Sequence, residues 1–315
     1  MGDAFVFPGQ GSQAVGMGQA LAEAYGDARA VFEEVDEALG EKLSAIIWEG
    51  PGDALTLTRN AQPALMAVSI AALRALQSET GGDPVKHAVC VAGHSLGEYS
   101  ALAAAGSLSV ADAARLLRVR GEAMQTAVPV GEGAMAALIG LEIDAAREVA
   151  EEASSLGACD CANDNAPGQV VVSGARAAVE RATEIASDKG ARRAVMLPVS
   201  APFHCRLMAP AADRMREALA ETALGAPAVP VFQNVAASPE SDPDIIRANL
   251  IEQVTATVRW RESVAAMREA GVTRFFETGA GKVLAGLIKR IDRSAGTLPV
   301  GEPDDIIAAK SALSV

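Results

Sequence analysis

The apolar run VKHAVCVA at 85–92 passes without a break into Gly93-His94-Ser95-Leu96-Gly97 and then into a helical pattern. A strand-length apolar run that feeds a glycine-bracketed turn and a helix predicts the opening of a parallel sheet buried on both faces. The pentapeptide also matches G-x-S-x-G. There the glycines allow a sharp turn, and the serine hydroxyl stands exposed above the sheet with a helix N-terminus behind it.

The same alternation recurs along the chain and predicts an α/β fold with a mostly parallel sheet. Strands are expected at 4–7, 85–92, 229–233, 273–277 and 297–300. Helices are expected near 18–26, 29–39, 61–78, 96–105, 110–124, 206–221, 243–252, 260–269, 281–291 and 303–311, with Pro63 in a first helical turn. Between them the pattern changes. Strand-like segments at 133–140, 159–163, 169–173 and 192–197 and helical ones at 143–154 and 177–189 follow the order β-α-β-β-α-β, with a turn over 165–168. That is the order of a ferredoxin-like unit, so 129–198 is expected to be a small domain inserted between 1–128 and 199–315 of a larger one.

Charge and composition exclude several function classes. Lys plus Arg is 27 against 40 for Asp plus Glu, a net charge of −13, and aromatics make up 3% of the chain. Neither a basic face nor a stacking surface for nucleic acid is expected. No basic, apolar leader opens the sequence, and the most apolar window near the end, 283–288, is far too short to span a bilayer. Cys90, Cys159, Cys161 and Cys205 are irregularly spaced, as reduced cytoplasmic thiols would be. Only Cys159 and Cys161 are close, which does not make a metal site.

A serine hydroxyl needs a base to become a nucleophile, and the chain has three histidines. His94 adjoins Ser95 and is expected to point away from it and pack beneath the turn. His87 would begin the strand whose far end carries Ser95, more than about 20 Å away at about 3.3 Å per residue. His204, in the loop-like stretch Ser200-Ala-Pro-Phe-His-Cys, is left as the base. The acids between serine and histidine in chain order include Asp160, Asp164 and Glu184. All three fall in the inserted unit, so a backbone or amide oxygen is expected to orient the imidazole.

Arg120 lies on the helix after the serine helix. At about 100° per residue Ala113, Leu117 and Met124 form its apolar stripe, and Arg120 falls beside Leu116 and Met124. Arg115 and Arg118 fall on the solvent side or flank. An arginine on an apolar face needs an anionic partner, either a structural carboxylate or the carboxylate of a substrate held in a two-pronged contact.

Several motifs in one order carry a family resemblance: FVFPGQGSQ at 5–13, TRNAQPAL at 58–65, GHSLGEYSAL at 93–102, RGEAMQ at 120–125, NAPGQVVVSG at 165–174, VSAPFHC at 199–205 and ETGAGKVLAGL at 277–287. With them the chain resembles malonyl-CoA:acyl carrier protein transacylases over nearly its whole length. The resemblance implies an α/β-hydrolase-like domain with the ferredoxin-like insert. It implies malonyl transfer from coenzyme A to acyl carrier protein through an ester on Ser95, with His204 as base and then acid. The main-chain carbonyl of Gln253 would orient His204, and the backbone N–H groups of Gln10 and Leu96 would form the oxyanion hole. Arg120 would pair with the malonyl carboxylate, while Gln62 and Asn165 would line the pocket. Phe203 would crowd an α-methyl branch, a malonyl preference shared with related polyketide acyltransferases. Expected partners are malonyl-CoA and acyl carrier protein, with no metal or cofactor, no membrane, no nucleic acid, a monomeric state and a cytoplasmic location. The rival readings are a polyketide-type acyltransferase with another extender unit, a serine thioester hydrolase, and a non-catalytic carrier-protein binding module. Ala280 and the Thr255-Ala256-Thr257 stretch depart from the family pattern, which has proline in each place. Candidate basic positions for docking are Lys189, Arg192 and Arg193, and Lys282, Lys289 and Arg290.

Overall fold

A computed structural model describes residues 2–313. Six strands form the larger sheet: β1 (Gly2–Phe7), β2 (Cys90–Gly93), β7 (Val231–Phe232), β8 (Pro239–Glu240), β9 (Val272–Thr278) and β10 (Gly296–Val300). Their order is β10-β9-β1-β2-β7-β8, and every pair is parallel except the last. β1 and β2 lie at the centre in the register Ala4–Cys90 to Phe7–Gly93, so the loops after Phe7 and Gly93 leave the sheet side by side. Ligands of open parallel sheets bind outside the carboxyl ends of such central strands.

Both faces are buried, as the apolar strands require. On one side the long helix Thr58–Thr80 and the helix Val110–Thr126 pack with the helix Gly97–Ala104 over Phe5, Phe7 and Val91. On the other, Trp260, Val264, Met267, Leu284 and Ile288 cover Ala4, Val6 and Cys90.

The second sheet is antiparallel and built from β3 (Gly133–Ile139), β4 (Cys159–Ala166), β5 (Gln169–Ala175) and β6 (Arg193–Met196) in the order β4-β5-β3-β6. Its two helices, Ile143–Ala153 and Arg176–Asp188, bury Val149, Val179, Ala182 and Ile185 in a hydrophobic cluster drawn from within 134–196. An isolated parallel bridge, Asn163 to Val258, ties this sheet to the rest.

Several boundaries differ from expectation. The expected strand at 85–92 is shorter: Asp83 caps a 3-10 turn at Pro84–His87, and the strand starts only at Cys90. His87 is therefore an exposed turn residue and not the start of β2. The helix expected from 61 begins at Thr58, so Pro63 sits in its interior. β4 runs on through Asn165, and the hairpin turn tightens to Pro167-Gly168. The short helices Leu43–Glu49 and Gly52–Thr56 and the two-residue strand β8 carry too little periodicity to be seen in sequence.

Candidate active site

Ser95 closes the turn after β2 with φ of 54°, a left-handed backbone that non-glycine residues rarely hold. The turn is so tight that a Cβ on Gly93 would overlap the Gly97 carbonyl, and one on Gly97 would overlap the Phe7 carbonyl. Two glycines are thus required where the serine turn crosses the end of β1. The Asn234 side chain pins the conformation: Oδ1 accepts the Ser95 N–H at 2.7 Å, and Nδ2 donates to the Gly93 carbonyl at 2.7 Å.

His204, also at positive φ (57°), brings Nε2 to 2.7 Å from Ser95 Oγ, and its Nδ1 lies 2.8 Å from the Gln253 carbonyl. A carbonyl oxygen can only accept, so the proton sits on Nδ1 and the bare Nε2 accepts the serine hydroxyl. Burial first, and the Arg120 charge second, push the His204 pKa down to about 3, against the pull of the Gln253 carbonyl. The imidazole is neutral and poised as a base. No carboxylate among the described residues bonds to it: Asp160 pairs with Arg206, Asp164 with Arg261 and Glu184 with Arg181.

Arg120 is 1% exposed and pairs with no carboxylate among the described residues. Its Nη1 donates to Gln62 Oε1 at 2.8 Å, and Nη2 donates to Gln253 Oε1 at 2.8 Å and to Ser95 Oγ at 3.1 Å. Neutral amide oxygens satisfy hydrogen bonds without cancelling charge, so the guanidinium keeps its attraction for an anion beside the serine. Arg118 is by contrast a structural arginine, paired with Glu41 and donating to Asn60 Oδ1.

These groups share a cavity of about 570 Å³. Gln10, Gln62, Ser95, Arg120, Asn165, Phe203 and His204 line it, as do Met124, Met135 and Leu287. The backbone N–H groups of Gln10 and Leu96 donate to no protein acceptor among the described residues. A site with a serine–imidazole pair, free N–H donors and a lone cation can take an acyl group that carries its own negative charge.

Comparison with known proteins agrees with this chemistry. A family model described as the acyl transferase domain matches residues 4–299. The chain belongs to that acyltransferase family. The malonyl CoA-acyl carrier protein transacylase of Bacillus subtilis is 47% identical over 304 residues, 96% of this chain and 94% of its own. The crystal structure of an acyl-carrier-protein S-malonyltransferase from Bartonella henselae shares 57% identity and superposes with a TM-score of 0.97 over 100% of both chains. A malonyl-transacylase solved in complex with a type II polyketide acyl-carrier protein is 41% identical, with a TM-score of 0.95 over 99% of this chain and 100% of its own.

Within this acyltransferase one expectation needs correcting. His94 does not pack beneath the turn. It faces the cavity, with Nε2 at 2.8 Å from Asn165 Oδ1 and its ring 5.7 Å from that of Trp260. The extension of β4 through Asn165 is what carries the amide there. The two basic clusters also differ in placement. Lys189 is tied to Glu148 and Glu152, whereas Arg290 donates to Gln169 at the cavity wall from the helix Val283–Ile291. The departures at Ala280 and 255–257 leave the contact of Gln253 with His204 intact. All four cysteines are free and buried, and no cluster of metal-ligating side chains occurs among the described residues.

Sequence reasoning missed Asn234, Glu98 and the side chain of Gln253. Glu98, in the GHSLGE motif itself, is the one detectable signal: a carboxylate in the first turn of a helix that is otherwise almost wholly apolar and buried.

Proposed function

We propose that this acyltransferase moves malonyl from coenzyme A to the phosphopantetheine thiol of an acyl carrier protein in fatty-acid synthesis. The carrying observation is the cation of Arg120, which forms no ion pair among the described residues and lies 3.1 Å from the Ser95 hydroxyl. Malonyl places a free carboxylate one methylene from the carbon that Ser95 attacks, so one cavity can hold both ends of the acyl group.

Ser95 Oγ attacks the thioester carbon as its proton passes to His204 Nε2. The Gln10 and Leu96 N–H groups receive the negative charge that develops on the carbonyl oxygen, where one such donor is worth roughly 10²- to 10³-fold in rate. The C–S bond breaks, and the coenzyme A thiolate leaves with the proton from His204. The carrier thiol then gives its proton to His204, attacks the Ser95 ester, and leaves as the malonyl thioester while Ser95 regains a proton. The Gln253 carbonyl orients the imidazole throughout. Gln62 and Asn165 shape the pocket, and Phe203 presses on the α-carbon of the acyl group.

In this reading 129–198 is a ferredoxin-like insertion in an α/β-hydrolase-like domain that spans 1–128 and 199–315. The strand order of the second sheet and its own hydrophobic cluster support that division. The enzyme works as a cytoplasmic monomer and uses no metal, organic cofactor, nucleic acid or membrane. No helix among the described residues is long and apolar enough to cross a membrane.

Intact-protein mass after brief mixing with malonyl-CoA tests the reading. Wild type should gain one malonyl group, Ser95→Ala none, and added carrier protein should discharge the ester. Absence of the adduct in wild type, or loading of acetyl as readily as malonyl, would overturn it. Discharge to water unaffected by carrier protein would mark a hydrolase.

A further inference from the structure

Glu98 is fully buried on the first turn of the helix Gly97–Ala104 and makes no ion pair among the described residues. Its Oε2 accepts the Asn234 backbone N–H at 2.9 Å and the Gln253 Nε2–H at 2.9 Å. Gln253 Nε2 also donates to the Ser95 carbonyl at 3.1 Å. One end of this amide therefore meets two oxygens that can only accept here. Its NH₂ must face them, which turns Oε1 toward Arg120 Nη2. Reversed, the amide would set donors against donors, and Arg120 would lose one of the acceptors that aim it at Ser95.

The same carboxylate oxygen holds the backbone of Asn234, whose side chain clasps both sides of the serine turn. A carboxylate in the place of the Gln253 amide would neutralise Arg120. The amide passes on orientation and withholds countercharge.

We propose that Glu98 is a positioning residue that sets acyl selectivity, by fixing the polarity of the Gln253 amide and through it the aim of Arg120. The inference rests on the reading of Arg120 as the acyl-carboxylate anchor. It also separates two effects: Glu98 acts on charged acyl groups through Gln253 and Arg120, and on every acyl group through Asn234.

The test compares kcat/KM for Ser95 loading from malonyl-CoA and from acetyl-CoA, with a thermal melt for each variant. Hydrogen bonds to charged groups are worth enough that Glu98→Leu should lower the malonyl-to-acetyl ratio by about tenfold or more. Glu98→Gln should stay within about threefold of wild type, because one amide oxygen can accept both N–H groups that Oε2 now takes. If Glu98→Leu melts too low to assay, Gln253→Met removes the same relay, keeps the backbone carbonyl for His204, and should lower the ratio likewise. Asn234→Ala should slow both substrates and leave the ratio unchanged. A wild-type enzyme that loads malonyl, beside Glu98→Leu and Gln253→Met variants with an unaltered ratio, would overturn this inference alone. A wild type that does not load malonyl would overturn the function on which it rests.

Discussion

Single-turnover loading of Ser95 between about pH 8 and pH 5 probes the state of His204 directly. Arg120 approaches the imidazole from the helix Val110–Thr126, His94 from the serine turn, and the carbonyls of Gln253 and Ala256 from the segment after the helix Pro243–Glu252. Burial and the Arg120 charge outweigh the carbonyls and lower the pKa from 6.5 to about 3. The base works in its neutral form, and a lowered pKa keeps it neutral as acid is added. At pH 5 an ordinary histidine would be only about 3% neutral, a roughly 30-fold loss of rate, whereas one at about 4 or below would lose no more than about 10%. Loading should therefore be flat across the range. Glu98, pushed up to about 7 by burial, changes charge in the same window. Its Oε2 can accept the same two N–H groups in either state, and losing its charge only strengthens the pull of Arg120 on the malonyl carboxylate, so it adds no falling limb toward acid. Rapid quench followed by intact mass measures the rate, with circular dichroism at each pH to confirm the fold. A midpoint near 6.5 that persists in Glu98→Gln would refute the argument for His204. A midpoint that Glu98→Gln abolishes would refute the account of Glu98 as a charge-indifferent acceptor.

Three further outcomes follow from named contacts. Arg120→Met should lower kcat/KM for malonyl-CoA by about 10²- to 10³-fold, since truncating one member of a buried charge pair costs about 2–5 kcal/mol; acetyl loading should change far less, and Arg120→Lys should recover only part of the loss. Phe203→Ser should raise the methylmalonyl-to-malonyl ratio about tenfold in a competition assay, in line with about 1–3 kcal/mol for one methyl group in an apolar pocket. A Cβ at Gly121 would stand 2.6 Å from the Thr58 carbonyl oxygen and 2.6 Å from Arg59 Cα. Gly121→Ala should thus destabilise the fold by about 3 kcal/mol or more, read as a lower urea midpoint with unchanged slope.

What could be read in advance was local or scarce. The strand–turn–helix around Ser95 is encoded in thirteen or so consecutive residues by pattern alone, and the base followed because only three histidines existed to choose from. Arg120 declared itself through helical phase, since a charge among Leu116, Leu117 and Met124 has to answer to something. Asn234 and the Gln253 amide left no such trace. They lie 139 and 158 residues from the serine whose backbone they hold, and nothing near either one distinguishes it from a surface amide. Two places depart from the pattern for separate reasons. At 85–92 the apolar run suggests a strand although Asp83-Pro84 spells a capped turn, and adjacency to Ser95 suggests that His94 packs beneath the turn although Asn165, 71 residues away, holds it at the cavity.

The burial that makes the site reactive also bears on how the folded enzyme meets acid. His94 and His204 are held neutral, so each contributes stability above its unfolded pKa of 6.5 that is lost as pH falls. Glu98 and Glu277 are raised by burial, so each contributes stability below its unfolded pKa of 4.5 that is lost as pH rises toward its folded one. Between about 4.5 and about 6.5 the two pairs work in opposite directions: unfolding takes up protons at the histidines and releases them at the glutamates. Glu277 accepts the N–H groups of Leu284 and Ala285 on its two oxygens, at the helix that forms one wall of the cavity, and Glu98 accepts those of Asn234 and Gln253 on Oε2 alone. A neutral base beside a cation with no ion-pair partner among the described residues is thus built within a set of buried groups whose proton linkages oppose one another, and its chemistry is not bound to a narrow range of pH.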